Sequence, residues 1–211
     1  MTDSSTHCYK SAWPSSIARL VMALLLLAGG WVQAQVSTDI SQLRIDRSED
    51  EWQVSAQVQF EMPPVVEDAL MKGIPMVFVI SADVLKERWY WYWSDKRITS
   101  AERHMRLAYQ PLTRRWRLNV GATAANTGGV GLTLSQSFDS LSQALSAIKR
   151  ISNWRFADAA ALDASAKYKL DFRFRLDLGQ LPRPFQIGAI GQTEWDIAAN
   201  AIVPFVPESI K

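Results

Sequence analysis

Chemistry in a protein without an obvious cofactor motif usually begins at histidine, cysteine or paired carboxylates, and this chain is poor in them. Its 211 residues hold two histidines and one cysteine, and His7 and Cys8 both fall near the start. His104 stands two residues from Glu102, so on an extended strand both side chains point to one face. One imidazole and one carboxylate make neither a zinc ligand set nor a nucleophile–base–orienter triad; His104 reads as a solvated strand residue. Gly128-Gly129-Val130-Gly131 lacks the Lys-Ser/Thr of a phosphate-binding loop and does not join a strand to a helix at dinucleotide spacing. It reads as a flexible connection. No Gly-x-Ser-x-Gly elbow raises a serine to a nucleophile. Asp171 and Asp177 lie about 20 Å apart along an extended strand, too far for a glycosidase carboxylate pair. No catalytic residue, metal ligand or cofactor site emerges.

The chain is instead rich in aromatic and basic residues between Val84 and Val120. Trp89-Tyr90-Trp91-Tyr92-Trp93 is followed by a second strand with Ala101, Met105, Leu107 and Tyr109 on one parity, interrupted by Arg103, and by a third with Trp116, Leu118 and Val120. Alternation on a strand sends the three tryptophans one way and the two tyrosines the other. The expected register sets Ser94 opposite Ile98 across a turn at Asp95-Lys96-Arg97, so that the tryptophans share the interior with Met105 and Leu107. The face turned outward then carries Arg88, Tyr90, Tyr92, Arg106, Arg115 and Arg117, the candidate contact surface. Tyrosine and arginine are enriched where protein surfaces bind. Two other readings stay open: arginines balanced by nearby acids on a solvated face, and tryptophans exposed as a stacking platform for sugars or a membrane interface.

The N-terminus reads as a targeting segment. Lys10 and Arg19 precede the apolar run Leu20 to Gly30, and Val32-Gln33-Ala34 offers a signal-peptidase site. The run is shorter than the ~20 residues of a membrane span. The expectation is residues 1–34 as a signal peptide and 35–211 as one exported, periplasmic domain; the alternative is an inner-membrane anchor through the uncleaved segment. Cleavage removes two of 23 basic and one of 21 acidic residues and leaves a near-neutral domain with no general pull on nucleic acid. It also removes Cys8, so no disulfide is expected.

The elements that must position the aromatic meander follow from periodicity. Thr38 to Asp46 reads as a strand without clean alternation. Trp52 to Met62 alternates strictly, the mark of a strand with one wet face. Pro63-Pro64 starts a short helix over Val65 to Lys72 with Gly73 as its C-terminal cap. Ile74 to Ser81 is a continuous apolar strand, Gly121 to Gly131 a long loop, and Leu132 to Ser135 a short strand. Asp139 or Ser140 caps a helix whose stripe is Leu141, Leu145, Ile148 and Ser152; after Trp154 comes a connection. Lys167 to Leu178 alternates most cleanly of all. Phe185 to Ile190 reads as a further pairing segment, Trp195 as packing back, and the tail from Pro204 as frayed. The fold expected is mainly antiparallel β, seven or eight strands in a sandwich or partly closed barrel, with two short helices.

In this order the motifs Ala69-Leu-Met-Lys-Gly-Ile-Pro75, Arg88-Trp-Tyr-Trp91, Arg106-Leu-Ala-Tyr-Gln-Pro-Leu-Thr-Arg114, Leu176-Asp-Leu-Gly-Gln-Leu-Pro182 and Glu194-Trp-Asp196 are similar to those of an uncharacterised family of exported proteobacterial proteins, catalogued as domain of unknown function 4390. The resemblance spans most of the mature domain. It implies an envelope protein without assigned catalytic residues. Family members are often encoded beside a two-component sensor kinase, which implies an envelope partner such as that kinase's periplasmic region. Three functions are expected in order: a non-enzymatic interaction or sensory-accessory domain in envelope signalling, a binding module for an apolar or glycan ligand, and an enzyme of unrecognised class.

Overall fold

The computed structural model describes residues 38–86, 96–123, 133–189 and 191–210. In chain order the elements are β1 (Asp39–Ser48), β2 (Glu51–Gln59), α1 (Pro64–Met71), β3 (Met76–Lys86), β4 (Lys96–Gln110), β5 (Arg115–Thr123), β6 (Thr133–Phe138), α2 (Leu141–Lys149), β7 (Arg150–Asp158), β8 (Tyr168–Leu176), α3 (Arg183–Ala189) and β9 (Ala198–Phe205). The strands form two antiparallel sheets, β1-β2-β7 and β6-β5-β4-β3-β8-β9. Neither closes into a barrel, so the arrangement is a sandwich, with more strands and one more helix than the periodicity suggested.

The core is the set of alternate residues that the two sheets turn toward each other. Trp52, Val54, Ala56, Val58 and Phe60 are all buried, as are Tyr168, Leu170, Phe172, Phe174 and Leu176, which fulfils the two cleanest period-two readings. Aromatic rings cross the gap between the sheets. Phe60 lies 5.8 Å from Phe78 and 5.4 Å from Phe174, and Trp154 meets Phe172 edge-on at 6.4 Å. Such pairs add to the area they bury because ring edges and faces carry opposite partial charge. α1 closes one end through Val66, Ala69 and Leu70, the i, i+3, i+4 stripe of a helix lying on a core. Its end is sharp: Gly73 takes φ 83°, and Gly73 and Ile74 donate their N–H groups to the carbonyls of Leu70 and Ala69 at 2.8 and 3.1 Å. That is the paired capping a glycine past the last turn permits.

β1 lacks clean alternation because it is bulged. The register slips between Ser41 and Arg44, with Gln42 at φ 54°, so Ile40 faces Val58 while Ile45 faces Val54. An inserted residue changes the parity of the inward side chains without moving them off the core.

Several expectations give way. β4 pairs with β3, Met105 opposite Phe78 and Leu107 opposite Met76, and on its other side with β5, Met105 opposite Val120 and Leu107 opposite Leu118. β3 thus takes one flank of β4, and β5 takes the other from Glu102 to Gln110. Lys96 and Arg97, expected in a turn, belong to β4 and pair with Lys86 and Leu85, while Ser94 lies outside the described residues. The paired ends are Lys86 and Lys96, and the aromatic run lies outside the described residues. The continuous apolar strand from Ile74 therefore continues to Lys86 and does the pairing assigned to the tryptophans. The third strand holds as read, with Trp116 and Leu118 buried and Val120 packed against the core.

The helix capped at Ser140, whose Oγ accepts from the Gln143 N–H at 3.3 Å, stops at Lys149. Ser152 and Trp154 belong to β7, a strand hidden from the sequence. Its inward residues Ile151, Trp154 and Phe156 change parity where the pairing with β2 is bulged and Asn153 takes φ 46°. Residues 183–189 are helical rather than paired, since Pro182 and Pro184 pre-set a helix start. The tail is held: β9 carries Pro204 on a sheet edge, where no ladder donor is needed, and Phe205 is buried against Trp52 and Tyr168. Trp195 packs back as read.

Candidate functional surface

The outer face of the six-stranded sheet is made of the residues between the core positions. On β4 and β5 these include Arg106, Arg115 and Arg117, because Met105, Leu107, Trp116 and Leu118 point inward. All three arginines are exposed, as the sequence requires. Arg115 Nε stands 3.2 Å from Asp139 Oδ1, so the balancing acid expected of a solvated face exists for it. Arg117 Nε donates to Ser135 Oγ at 3.0 Å, a neutral partner. Arg106 forms no ion pair with a described residue. Arg88, Tyr90 and Tyr92, the other half of the predicted surface, lie outside the described residues, as does the tryptophan platform.

Arg103 shows why an arginine can interrupt an apolar parity. It shares the inner face with Met105 and stacks on Trp154 of the opposite sheet, its guanidinium carbon 5.1 Å from the ring centroid. Burial pushes its guanidinium below the ordinary arginine value, and the ring quadrupole returns part of the lost hydration. It is a packing residue, not part of the outer surface.

On β3 and β8 the outer face holds residues the sequence did not single out. Asp83 and Asp171 are register partners and are 4 % and 5 % exposed, although they alternate with core positions. Arg173 spans them: its Nε donates to Asp171 Oδ1 at 3.1 Å, a second bond joins its Nη2 to Asp171 Oδ2, and the same nitrogen lies 4.0 Å from Asp83 Oδ2. The hydrogen bond to Asp171 raises the Arg173 guanidinium above its ordinary value against a smaller burial effect, and the charges of both aspartates add to the rise. Arg97 Nε reaches to 3.5 Å from Asp83 Oδ1, which accepts no hydrogen bond among the described residues. With both Asp171 oxygens in an arginine fork, this pair resembles a structural bracket more than an acid and base free to exchange protons with a substrate. The aspartate at position 83 hides in sequence because it sits in an apolar run, and only the strand register brings it opposite Asp171. Arg175, exposed and outward on β8, was legible as an outward residue but not as lying one strand away from β4.

His104 lies on the same face, its Nε2 3.8 Å from Glu102 Oε2. Among the described residues no group of three or more histidine, cysteine, aspartate or glutamate side chains is placed to hold a metal ion. A groove of ≈ 290 Å³ opens between α1 and α3, lined by Val65, Asp68, Lys72, Phe185 and Trp195 among others. It is at the lower edge of ligand-pocket size and mixed in polarity.

No curated protein and no solved structure matches the chain. A protein-family model described as "Domain of unknown function (DUF4390)" matches residues 35–203. This match covers most of the chain and agrees with the motifs read from the sequence, and the protein belongs to the DUF4390 family.

Proposed function

We propose that this chain is an exported envelope protein that works by contact, as an interaction or sensory-accessory domain, and that the outer face of β4 and β5 is its contact surface. The observation that carries the reading is the placement of Arg106 and Arg117: exposed, adjacent across two strands and without an ion pair to a described residue. Long cationic side chains left without an acid on a flat sheet are what a partner's anionic groups would complete. The short apolar run from Leu20 to Gly30, followed by the peptidase site ending at Ala34, supports export, and the family's recurrence beside sensor kinases supports a signalling partner.

The test is complementation of a strain deleted for the gene. Arg106→Glu with Arg117→Glu should abolish the cellular role while the purified variant keeps its melting midpoint within about 0.5 kcal/mol of equivalent stability, since both positions are exposed. His104→Ala should complement fully. A folded His104→Ala protein that fails to complement would point to chemistry or metal binding and overturn the contact reading.

A further inference from the structure

The paired strands bring a third arginine into line with the two on β4 and β5. Arg117 lies opposite Ala108, two residues from Arg106 along β4. On the other side Arg175 lies opposite Val79, which lies opposite His104, two residues from Arg106 in the reverse direction. With strands ~4.8 Å apart and ~3.4 Å per residue, the backbone of Arg117 is about 8 Å from that of Arg106, and Arg175 is about 12 Å away on the far side. The three form a diagonal of about 20 Å across four strands, by the same spacings.

Most acids of this face already have a partner. Asp171 and Asp83 are held by Arg173 and Arg97, and Asp139 by Arg115; Asp177 accepts from the Gly179 N–H through Oδ1, and Glu102 stands 3.8 Å from His104. Arg106, Arg117 and Arg175 form no ion pair with a described residue, and Ser135, Ser137 and Asn119 beside them are hydrogen-bonding groups without charge. One duty for the arginine stems is local: Val79 is 1 % exposed although it faces outward, flanked by His104 and Arg175. A stem can shield an apolar neighbour, but that leaves the guanidinium unused.

Resting on the contact reading above, we infer that this diagonal binds an acidic segment of a protein partner, one arginine fork to each of three carboxylates. Carboxylates two and four residues apart on one face of an extended segment are about 7 and 14 Å apart, which brackets the two arginine spacings. The planar guanidinium forks fit carboxylates two bonds at a time, which lysine does not do. A lipid surface fits the described residues of this face less well. Membrane-lying faces set apolar or aromatic side chains beside their cations; the large exposed apolar residue described on this face is Ile202, on the edge strand β9 and off the diagonal.

The experiment uses the purified full chain, a fluorescein-labelled peptide of alternating glutamate and serine, and vesicles of equal parts phosphatidylglycerol and phosphatidylcholine. The peptide should bind at low salt, and Arg106→Met/Arg117→Met/Arg175→Met should weaken binding at least tenfold with an unchanged melting midpoint, because methionine keeps the stems. The matching triple lysine variant, equal in charge, should recover only part of the loss. Equal binding by the methionine variant, full recovery with lysine, or arginine-dependent binding of vesicles but not of peptide would overturn the acidic-segment assignment. If the wild-type chain ignores the peptide while Arg106→Glu/Arg117→Glu still abolishes complementation, the assignment falls and the contact reading stands. A methionine variant that loses the peptide yet complements fully would take down the contact reading itself.

Discussion

The two faces of the six-stranded sheet come from the same strands, one residue out of phase, and they spend their side chains on different ends. Inward, Phe78, Phe172 and Phe174 are fully buried and meet the rings of the other sheet. Outward, the same strands carry Arg106, Arg173 and Arg175, and the two aspartates that are buried there are bracketed by arginine. The contrast teaches that burial alone does not separate core from surface in this molecule. Val79, Asp83 and Asp171 are as inaccessible as many core residues, yet long charged side chains rather than an apolar layer surround them. Stability should therefore be concentrated on one side of the sheet and recognition on the other.

The contrast is broken most severely from inside. Phe174→Ala removes a ring in contact with both Phe60 and Phe78 and should cost about 3–5 kcal/mol in a denaturant titration, the range for large-to-small changes in a packed core. Arg106→Met on the opposite face should stay within about 0.5 kcal/mol. Comparable costs would mean that the outer face is structural.

An intermediate effect is expected at the bracket. Arg173→Met leaves Asp83 and Asp171 opposite each other without their fork, Arg97 remaining near Asp83. Charged hydrogen bonds contribute about 1.5–3 kcal/mol when well formed. Because Arg173 is about half exposed, solvent screening reduces this to about 1–2 kcal/mol. Asp83→Asn/Asp171→Asn in the same background should restore much of the loss; a further loss would show that the carboxylates are held by something other than arginine.

The smallest effect belongs to the exposed pair of Lys86 and Asp163, 2.8 Å apart. The lysine's hydrogen bond holds the Asp163 carboxyl below its ordinary value. Whatever it adds is present above the ordinary aspartate range and vanishes as the pH falls through the lowered value. Asp163→Asn should leave the denaturant midpoint unchanged at neutral pH and in high salt. A clear drop would mark this link between β3 and the loop before β8 as part of the stable framework.

How much of this was legible in sequence depended on whether parity was kept. β2 and β8 alternate without a break, and their inward and outward sets were read residue by residue. β1 and β7 change parity at Gln42 and Asn153, and β7 went unseen because a period-two search cannot follow a bulge. The partner of β4 was misassigned for a related reason. Aromatic richness drew the pairing to residues 89–93, whereas the plainer run Met76–Lys86 pairs with β4 along its length, with one register shift between Val84 and Leu85, and from Phe78 to Lys86 with β8. Of the surface, Arg106, Arg115 and Arg117 were placed outward because Met105, Leu107, Trp116 and Leu118 fix the phase. Arg175 and the Asp83–Asp171 pair needed β8 to lie beside β3, a contact between strands distant in sequence.

The division of labour between faces is tested most directly by a photoreactive amino acid introduced in living cells at one exposed position at a time. Ser137, opposite Arg117 on β6, reports on the arginine face; Gln57, exposed on β2, reports on the outer face of the three-stranded sheet. On illumination a discrete crosslinked product should form from Ser137 and not from Gln57, and it should vanish when Arg106→Glu/Arg117→Glu is present. A product from Gln57 alone, or one from Ser137 that is indifferent to the arginines, would contradict the account.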